Sequence, residues 1–394
     1  MKNRLERTPM KHRFSSVCFI AIFLAVTVHA DLRDTVSTVT VEPGVQHVSV
    51  VKEGPYSIEV LVVDLLANNL RIESFRPIGL VKTTEQARMN DREDHSVVAA
   101  MNADFFSFQT GWPVNNQVMN GQFVFAASTQ RSHLALDGNG RPHIDKYSLR
   151  AWVKPKSGTL YPIDGVNDAH RDNAIVLHNC FSDTATNSSG AGMTFLLSLV
   201  NSTWSVGDTL KMAVTKNGVT DFIHIGREQA VLWIGSDPAV WPARSDLKVD
   251  DTVLVFLGTS PSLKNLRTMV GGVGTIIANG KAISDSVNAR EKTTVAWLKA
   301  RHPRTFVGFD KDSTKMFLCV VDGRQAKSLG MNFPEMADFL LSIGAWNAIN
   351  LDGGGSTTMV IHNRIVNSPS DRTGERPVAN TLQVIRLNPM PGRN

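Results

Sequence analysis

Residues Trp346-Asn347-Ala348-Ile349-Asn350-Leu351-Asp352-Gly353-Gly354-Gly355-Ser356-Thr357 form an apolar run that stops abruptly in a carboxylate, three glycines and two hydroxyls. A buried strand that delivers polar groups at its carboxyl end has this form. The glycines let the chain turn tightly and bring backbone N–H groups toward a ligand. Upstream, Lys315 to Val321 is a second buried-strand pattern, ending in Asp322-Gly323-Arg324. Between the two runs Pro334 opens a helix whose apolar positions Met336, Phe339, Leu340 and Ile343 follow the i, i+3, i+4, i+7 rule, and Gly344 stops it. Strand, helix, strand in this order predicts a right-handed β-α-β crossover, with both Asp-Gly turns at the carboxyl ends of parallel strands. Open α/β sheets bind ligands at that edge.

Working outward, Val36 to Phe75 is strand-rich and punctuated by Pro43-Gly44 and Gly54-Pro55. The apolar run Ser96 to Met101 ends in Asn102-Ala103-Asp104-Phe105-Phe106, again a strand presenting polar groups at its end. Residues 138–258 are short strand-like pieces separated by Gly, Asn, Asp and Ser, which predicts a β-rich lobe within the chain. The expected fold is therefore a mixed α+β/α/β arrangement: a central mixed sheet, a β-α-β unit near the C-terminus and a β-rich inserted lobe.

At 394 residues, 42% hydrophobic and 20% charged, the chain has a globular composition. Five basic residues (Lys2, Arg4, Arg7, Lys11, Arg13) precede 15 apolar-rich residues from Phe14 to Val28 and the small-residue exit Val28-His29-Ala30. This is the pattern of a secretory signal over 1–30 cleaved after Ala30, and it predicts a secreted or periplasmic protein with no membrane span after cleavage and a main domain over 31–390. Loss of that segment lowers the net charge from +5 to +1, which disfavours nucleic acid as a partner. Cys180 and Cys319 remain, either bridged or as independent thiols. No C-x-x-C or zinc spacing occurs, and no metal or other cofactor is expected. Oligomeric state is not legible here. Asn187 and Asn201 begin glycosylation sequons.

The triple-glycine stretch lacks the lysine of a phosphate-binding P-loop and the closing glycine of a nucleophile elbow. It suits an anion or a sugar, although a plain turn between strands has the same sequence. Arg304, in His302-Pro303-Arg304-Thr305, and Arg376, in Gly374-Glu375-Arg376-Pro377, are candidates to grip a phosphate with paired hydrogen bonds. Taken singly each is more often a surface or ion-pair residue, and Asp104 and Asp322 are more often solvated strand ends.

Taken together these motifs, with Gly271-Gly272 and Asn380, occur in the order seen in the phosphodiester glycosidase family, which the chain resembles from about Val45 to Arg386. One departure is Asp104, where the family's pattern is a glycine-bearing Asn-Ala-Gly-Tyr-Phe. The resemblance implies hydrolysis of a sugar-1-phosphodiester, such as an N-acetylglucosamine-1-phosphodiester, in an exported glycan. On that reading Asp352, Glu375 and Arg304 are catalytic, Asp352 or Glu375 serving as nucleophile or base. Asn102, Asp104, Gly353, Gly354, Ser356, Thr357, Arg376 and Asp322 bind substrate, with Arg304 and Arg376 on the phosphate. Two other classes stay open: a non-catalytic carbohydrate-binding protein, and a metal-dependent phosphodiesterase with Asp104, Asp322 and Asp352 as oxygen ligands.

Overall fold

The computed structural model describes residues 35–127, 129, 131–182, 192–218, 224–283 and 286–388. The predicted signal segment 1–30, with Cys18, and the sequon at Asn187 lie outside the described residues.

The central sheet has eight strands in the order Thr35–Glu42, Val45–Lys52, Tyr56–Asp64, Lys315–Val321, Arg304–Phe309, Asn347–Asn350, Thr275–Ala278 and Lys281–Ala282. Every pairing in it is antiparallel. A five-stranded sheet packs on one face in the order Arg364–Ile365, Met359–Ile361, His95–Asn102, Thr381–Leu387 and Leu70–Phe75. A second five-stranded sheet, containing Gln117–Met119, His133–Asp137 and Leu266–Gly271, adjoins it. Strands between Ser148 and Ser260 supply a fourth sheet of eight, antiparallel except where Gly165–Val166 pairs with Ile175–Asn179.

These observations correct the expected mixed α+β/α/β class. The fold is mostly β, with 46% of residues in strands and 11% in helices, and its sheets are antiparallel apart from that one short pairing. Strands Lys315–Val321 and Asn347–Asn350 do run in the same direction with helix Phe333–Ser342 between them in sequence, but Arg304–Phe309 lies between them in space and is antiparallel to both.

The reason the apolar runs resemble parallel strands lies in how the central sheet is covered. Alternate residues Met316, Leu318 and Val320 enter a core shared with the five-stranded sheets. Phe317, Cys319 and Val321 enter a second core, under helices Val295–Lys299 and Phe333–Ser342. A strand buried on both faces loses its polar alternation whatever the direction of its neighbours. Helix Phe333–Ser342 itself follows local rules: Asn332 and Glu335 form a reciprocal capping box, Pro334 sits in the first turn, and Met336, Ala337 and Leu340 are buried. Cys180 and Cys319 are both free thiols, the second fully buried.

Candidate active site

Because Lys315–Val321 and Asn347–Asn350 point the same way, both Asp-Gly turns leave one edge of the central sheet, beside the start of the strand Arg304–Phe309. Arg304 pairs with Val321, and Phe306 with Asn350. The neighbouring sheet brings the end of His95–Asn102 to the same edge. There the fully buried Asn102 is a staple: its Oδ1 accepts from Thr305 Oγ1 at 2.8 Å and Thr358 N–H at 3.1 Å, while its Nδ2 donates to the Asp352 carbonyl at 2.7 Å. Asn102 thus works beneath the bend, holding two sheets together.

The bend at 352–357 uses most of its amides on the protein's own acceptors. Gly353 N–H donates to Asp352 Oδ1 (2.8 Å), Gly354 N–H to the Pro303 carbonyl (2.9 Å), and the amides of Ser356 and Thr357 to the carbonyls of Gly353 and Gly354 (both 3.3 Å). The glycines answer mainly to crowding. A Cβ on Gly353 would lie 2.6 Å from the Pro303 carbonyl oxygen, and one on Gly355 would lie 2.0 Å from Asp371 Oδ1 and 2.2 Å from Arg376 Nη2. Gly354 has φ +64° and passes under the Arg324 guanidinium, whose Nη2 would be 3.1 Å from a Cβ there.

Two carboxyls meet at this bend. Asp352 is pushed up to about 6 by burial, against the opposing pull of its hydrogen bonds from Ser356 and Gly353 and the charge of Arg376. Asp104, almost wholly buried, is pushed up to about 7, the charge of Asp352 adding to the effect of burial. It is held by Asn115, whose Nδ2 donates to Oδ1 at 2.6 Å and whose N–H donates to Oδ2 at 3.2 Å. Arg131 is a nearby compensating charge. Burial thus raises the proton affinity of both carboxyls, with the charge of Asp352 a smaller contribution at Asp104.

Arg376 clamps Asp371 through two parallel hydrogen bonds, Nε to Oδ2 at 2.7 Å and Nη2 to Oδ1 at 2.9 Å, and its Nη1 reaches Ser356 Oγ at 3.4 Å. Arg304 has its backbone against the bend, but its guanidinium turns away. It donates to the carbonyls of Met331 (3.1 Å), Trp297 (3.1 Å) and Ala300 (3.0 Å) and lies against the rings of Trp297 and Phe333. Burial and the charge of Arg324 lower its pKa to about 10. Arg324, by contrast, is exposed, has φ +60°, and makes no ion pair among the described residues.

The remaining predicted residues occupy the margins. Glu375 is buried and both its oxygens are taken by Thr84, Oε1 by the N–H at 2.8 Å and Oε2 by the hydroxyl at 2.7 Å, so it caps helix Thr83–Asn90. Asp322, also buried and raised in pKa by burial, accepts from Asn367 Nδ2 at 3.0 Å and from the Ser368 N–H. Asn367 in turn donates to the Thr357 carbonyl at 3.1 Å, so Asp322 fixes the far side of the bend. Ser356 and Thr357 lie within the bend, and the Thr357 hydroxyl is buried without a hydrogen-bond partner. Asp352, Asp104, Gly353, Gly354, Ser356, Thr357 and Arg376 are therefore brought together, while the side chains of Arg304 and Glu375 serve neighbouring elements. Sequence reasoning passed over Arg324 as a cation, along with Asn115 and Asp371. The left-handed conformation at Arg324 follows from a tight Asp-Gly turn, and that turn was the available signal. Among the described residues no group of three His, Cys, Asp or Glu side chains is arranged to hold a metal ion.

Residues 209–385 match the phosphodiester glycosidase family model. The chain is related to the phosphodiester glycosidase family. The matched residues include Arg304, Asp322, the triple-glycine bend, Glu375 and Arg376, and the family is one of hydrolases. Mouse N-acetylglucosamine-1-phosphodiester alpha-N-acetylglucosaminidase is 34% identical over 149 residues, 35% of this chain and 28% of that protein. The matched stretches span only 12% to 28% of the length of such curated relatives. The fold recurs in a hypothetical protein from Synechocystis (TM-score 0.69, 18% identity, 89% of this chain and 64% of the other). It recurs also in a Burkholderia pseudomallei protein described as exported (TM-score 0.64, 20% identity, 84% and 74%).

Proposed function

We propose that this protein is an exported glycosidase that hydrolyses the anomeric bond of a sugar-1-phosphodiester, releasing free sugar and a phosphomonoester. The observation that carries this reading is the gathering of two guanidinium groups, Arg324 against Gly354 and Arg376 against Gly355 and Ser356, at the triple-glycine bend that carries Asp352, with the Asp104 carboxyl nearby. A phosphomonoester is a good leaving group, so the reaction needs less general-acid help than ordinary glycoside hydrolysis and more stabilisation of negative charge. Arg324 and Arg376 supply that charge. Asp352 acts on the anomeric carbon, directly or through water, as nucleophile or base, and Asp104 holds the proton that Asp352 does not. Ser356 keeps Asp352 oriented. Arg304 and Glu375 act as positioning residues through the backbone and helix they hold.

Export is supported by the basic-then-apolar N-terminal sequence and by the fold shared with a protein described as exported. No helix among the described residues is long and apolar enough to cross a membrane.

The deciding assay incubates the purified protein with UDP-N-acetylglucosamine and with a methyl N-acetylglucosamine-1-phosphodiester in ¹⁸O-water. Label is expected in the released sugar. Label in the phosphate would replace this reading with attack at phosphorus, and tight sugar binding without turnover would favour a binding protein.

A further inference from the structure

A cleft of about 710 Å³ lies between the loop Ser107–Val114 and the sheet built from residues 148–260. The loop is the stretch of chain joining Asp104 to Asn115, which hydrogen bond to each other at the site, so the wall of the cleft is continuous with the catalytic bend. Phe108, on that loop, is 70% exposed and lies 5.6 Å from the Arg376 guanidinium.

Half-buried rings border the cleft. Trp112 and Phe125 are 5.9 Å apart, and His170 stacks on Trp233 with centroids 4.2 Å apart and planes 3° from parallel. His170 Nε2 meets His178 Nε2 at 2.8 Å, a contact in which one nitrogen donates and the other accepts, so at most one of the two rings is charged. Burial lowers the pKa of both rings, in agreement with that geometry. His178 is 6% exposed, and its Nδ1 has no hydrogen-bond partner. Among the described residues no Lys or Arg lines the cleft, and its carboxylate Asp168 is already paired with Arg171 at 2.9 Å. Aromatic faces, hydroxyls from Ser107 and Thr110, and neutral imidazoles match the C–H faces and hydroxyls of a pyranose. They offer nothing to a phosphate.

We propose that this cleft is a saccharide subsite for the uncharged sugar units that flank the scissile phosphodiester, with Phe125, His170 and the side of Trp112 away from the buried Arg76 guanidinium, which lies 3.7 Å from that ring, as its stacking surfaces. The anionic link is held by Arg324 and Arg376, and the neutral glycan runs past Phe108 into the cleft. The proposal rests on the glycosidase reading for what is cleaved, and on the cleft alone for what is bound.

The test is saturation-transfer NMR on the full chain with mannotriose, chitotriose and maltotriose. At least one trisaccharide is expected to bind, and Trp112→Ala should weaken it about tenfold. Thr110→Trp, on an exposed part of the loop, should block the cleft to the same extent, and it keeps the test decisive if Trp112→Ala fails to fold. In turnover, both variants should raise KM for a phosphodiester carrying the bound trisaccharide about tenfold relative to KM for a UDP-sugar. Trisaccharide binding with no hydrolysis of any phosphodiester would leave the subsite standing and remove the glycosidase. Hydrolysis with no trisaccharide binding, or with binding and KM insensitive to Thr110→Trp, would remove the subsite and leave the glycosidase.

Discussion

At the scale of single residues, the proposed reading gives the chemistry to the two carboxyls. With Asp352 at about 6 and Asp104 at about 7, the pair carries one proton between those values, so kcat/KM should follow a bell with its top near pH 6 to 7. A profile flat from about pH 5 to about pH 8 would dissociate the pair from turnover. The same shifts bear on stability. Both groups bind protons more tightly folded than unfolded, so their stabilising contribution is complete below an ordinary aspartate pKa and is lost as pH rises through about 6 and about 7. Asp352→Asn should therefore abolish turnover yet raise stability at pH 8 by about 1–2 kcal/mol, measured by denaturant titration. The arginines divide differently. Arg324→Ala should raise KM for phosphodiesters by about tenfold to a hundredfold with little change in Tm, because it removes an exposed cation. Arg304→Ala should lower Tm steeply, because it leaves the carbonyls of Met331, Trp297 and Ala300 without their donor.

At the scale of elements, the bend and the segment 367–378 form one unit. Gly355→Ala would drive a methyl into the Asp371–Arg376 pair, and separating that pair should cost more than tenfold in kcat/KM while the sheets remain intact by circular dichroism. Glu375→Ala should uncap helix Thr83–Asn90 and cost about 1–2 kcal/mol. A fall in kcat with Tm unmoved would instead make Glu375 catalytic. The helix Phe333–Ser342 was legible because its capping box, its proline and its apolar spacing are all local. Strand direction was not, since Arg304–Phe309 enters between two strands from an earlier part of the chain and no local pattern records it.

At the scale of the whole molecule, charge is close to balanced once residues 1–30 are set aside, so a phosphodiester must be held by local guanidinium groups more than by a long-range field. Raising salt from about 0.05 M to about 0.5 M should therefore raise KM only severalfold, as read from initial rates. A rise of several orders of magnitude would point to extended charge steering. The sheet formed by residues 148–260 packs its own core from Val153, Phe195, Leu232 and Val255, and that core extends to Val118 and Phe123 beside the loop that carries Phe108.

The amino-acid sequence by itself determined which runs are strands, where the helix starts, and that polar groups gather at the strand ends marked by Asn102, Asp322 and Asp352. Those ends are legible because the switch from apolar to polar residues, and the glycines beside the last two, are local features. Tertiary packing alone decided that the sheets are antiparallel, that the Arg304 guanidinium turns inward between Trp297 and Phe333, and that Arg324 lies over Gly354. Burial on both faces erases the alternation that distinguishes sheet types, and the direction of a long side chain depends on the neighbours that packing brings to it from elsewhere in the chain.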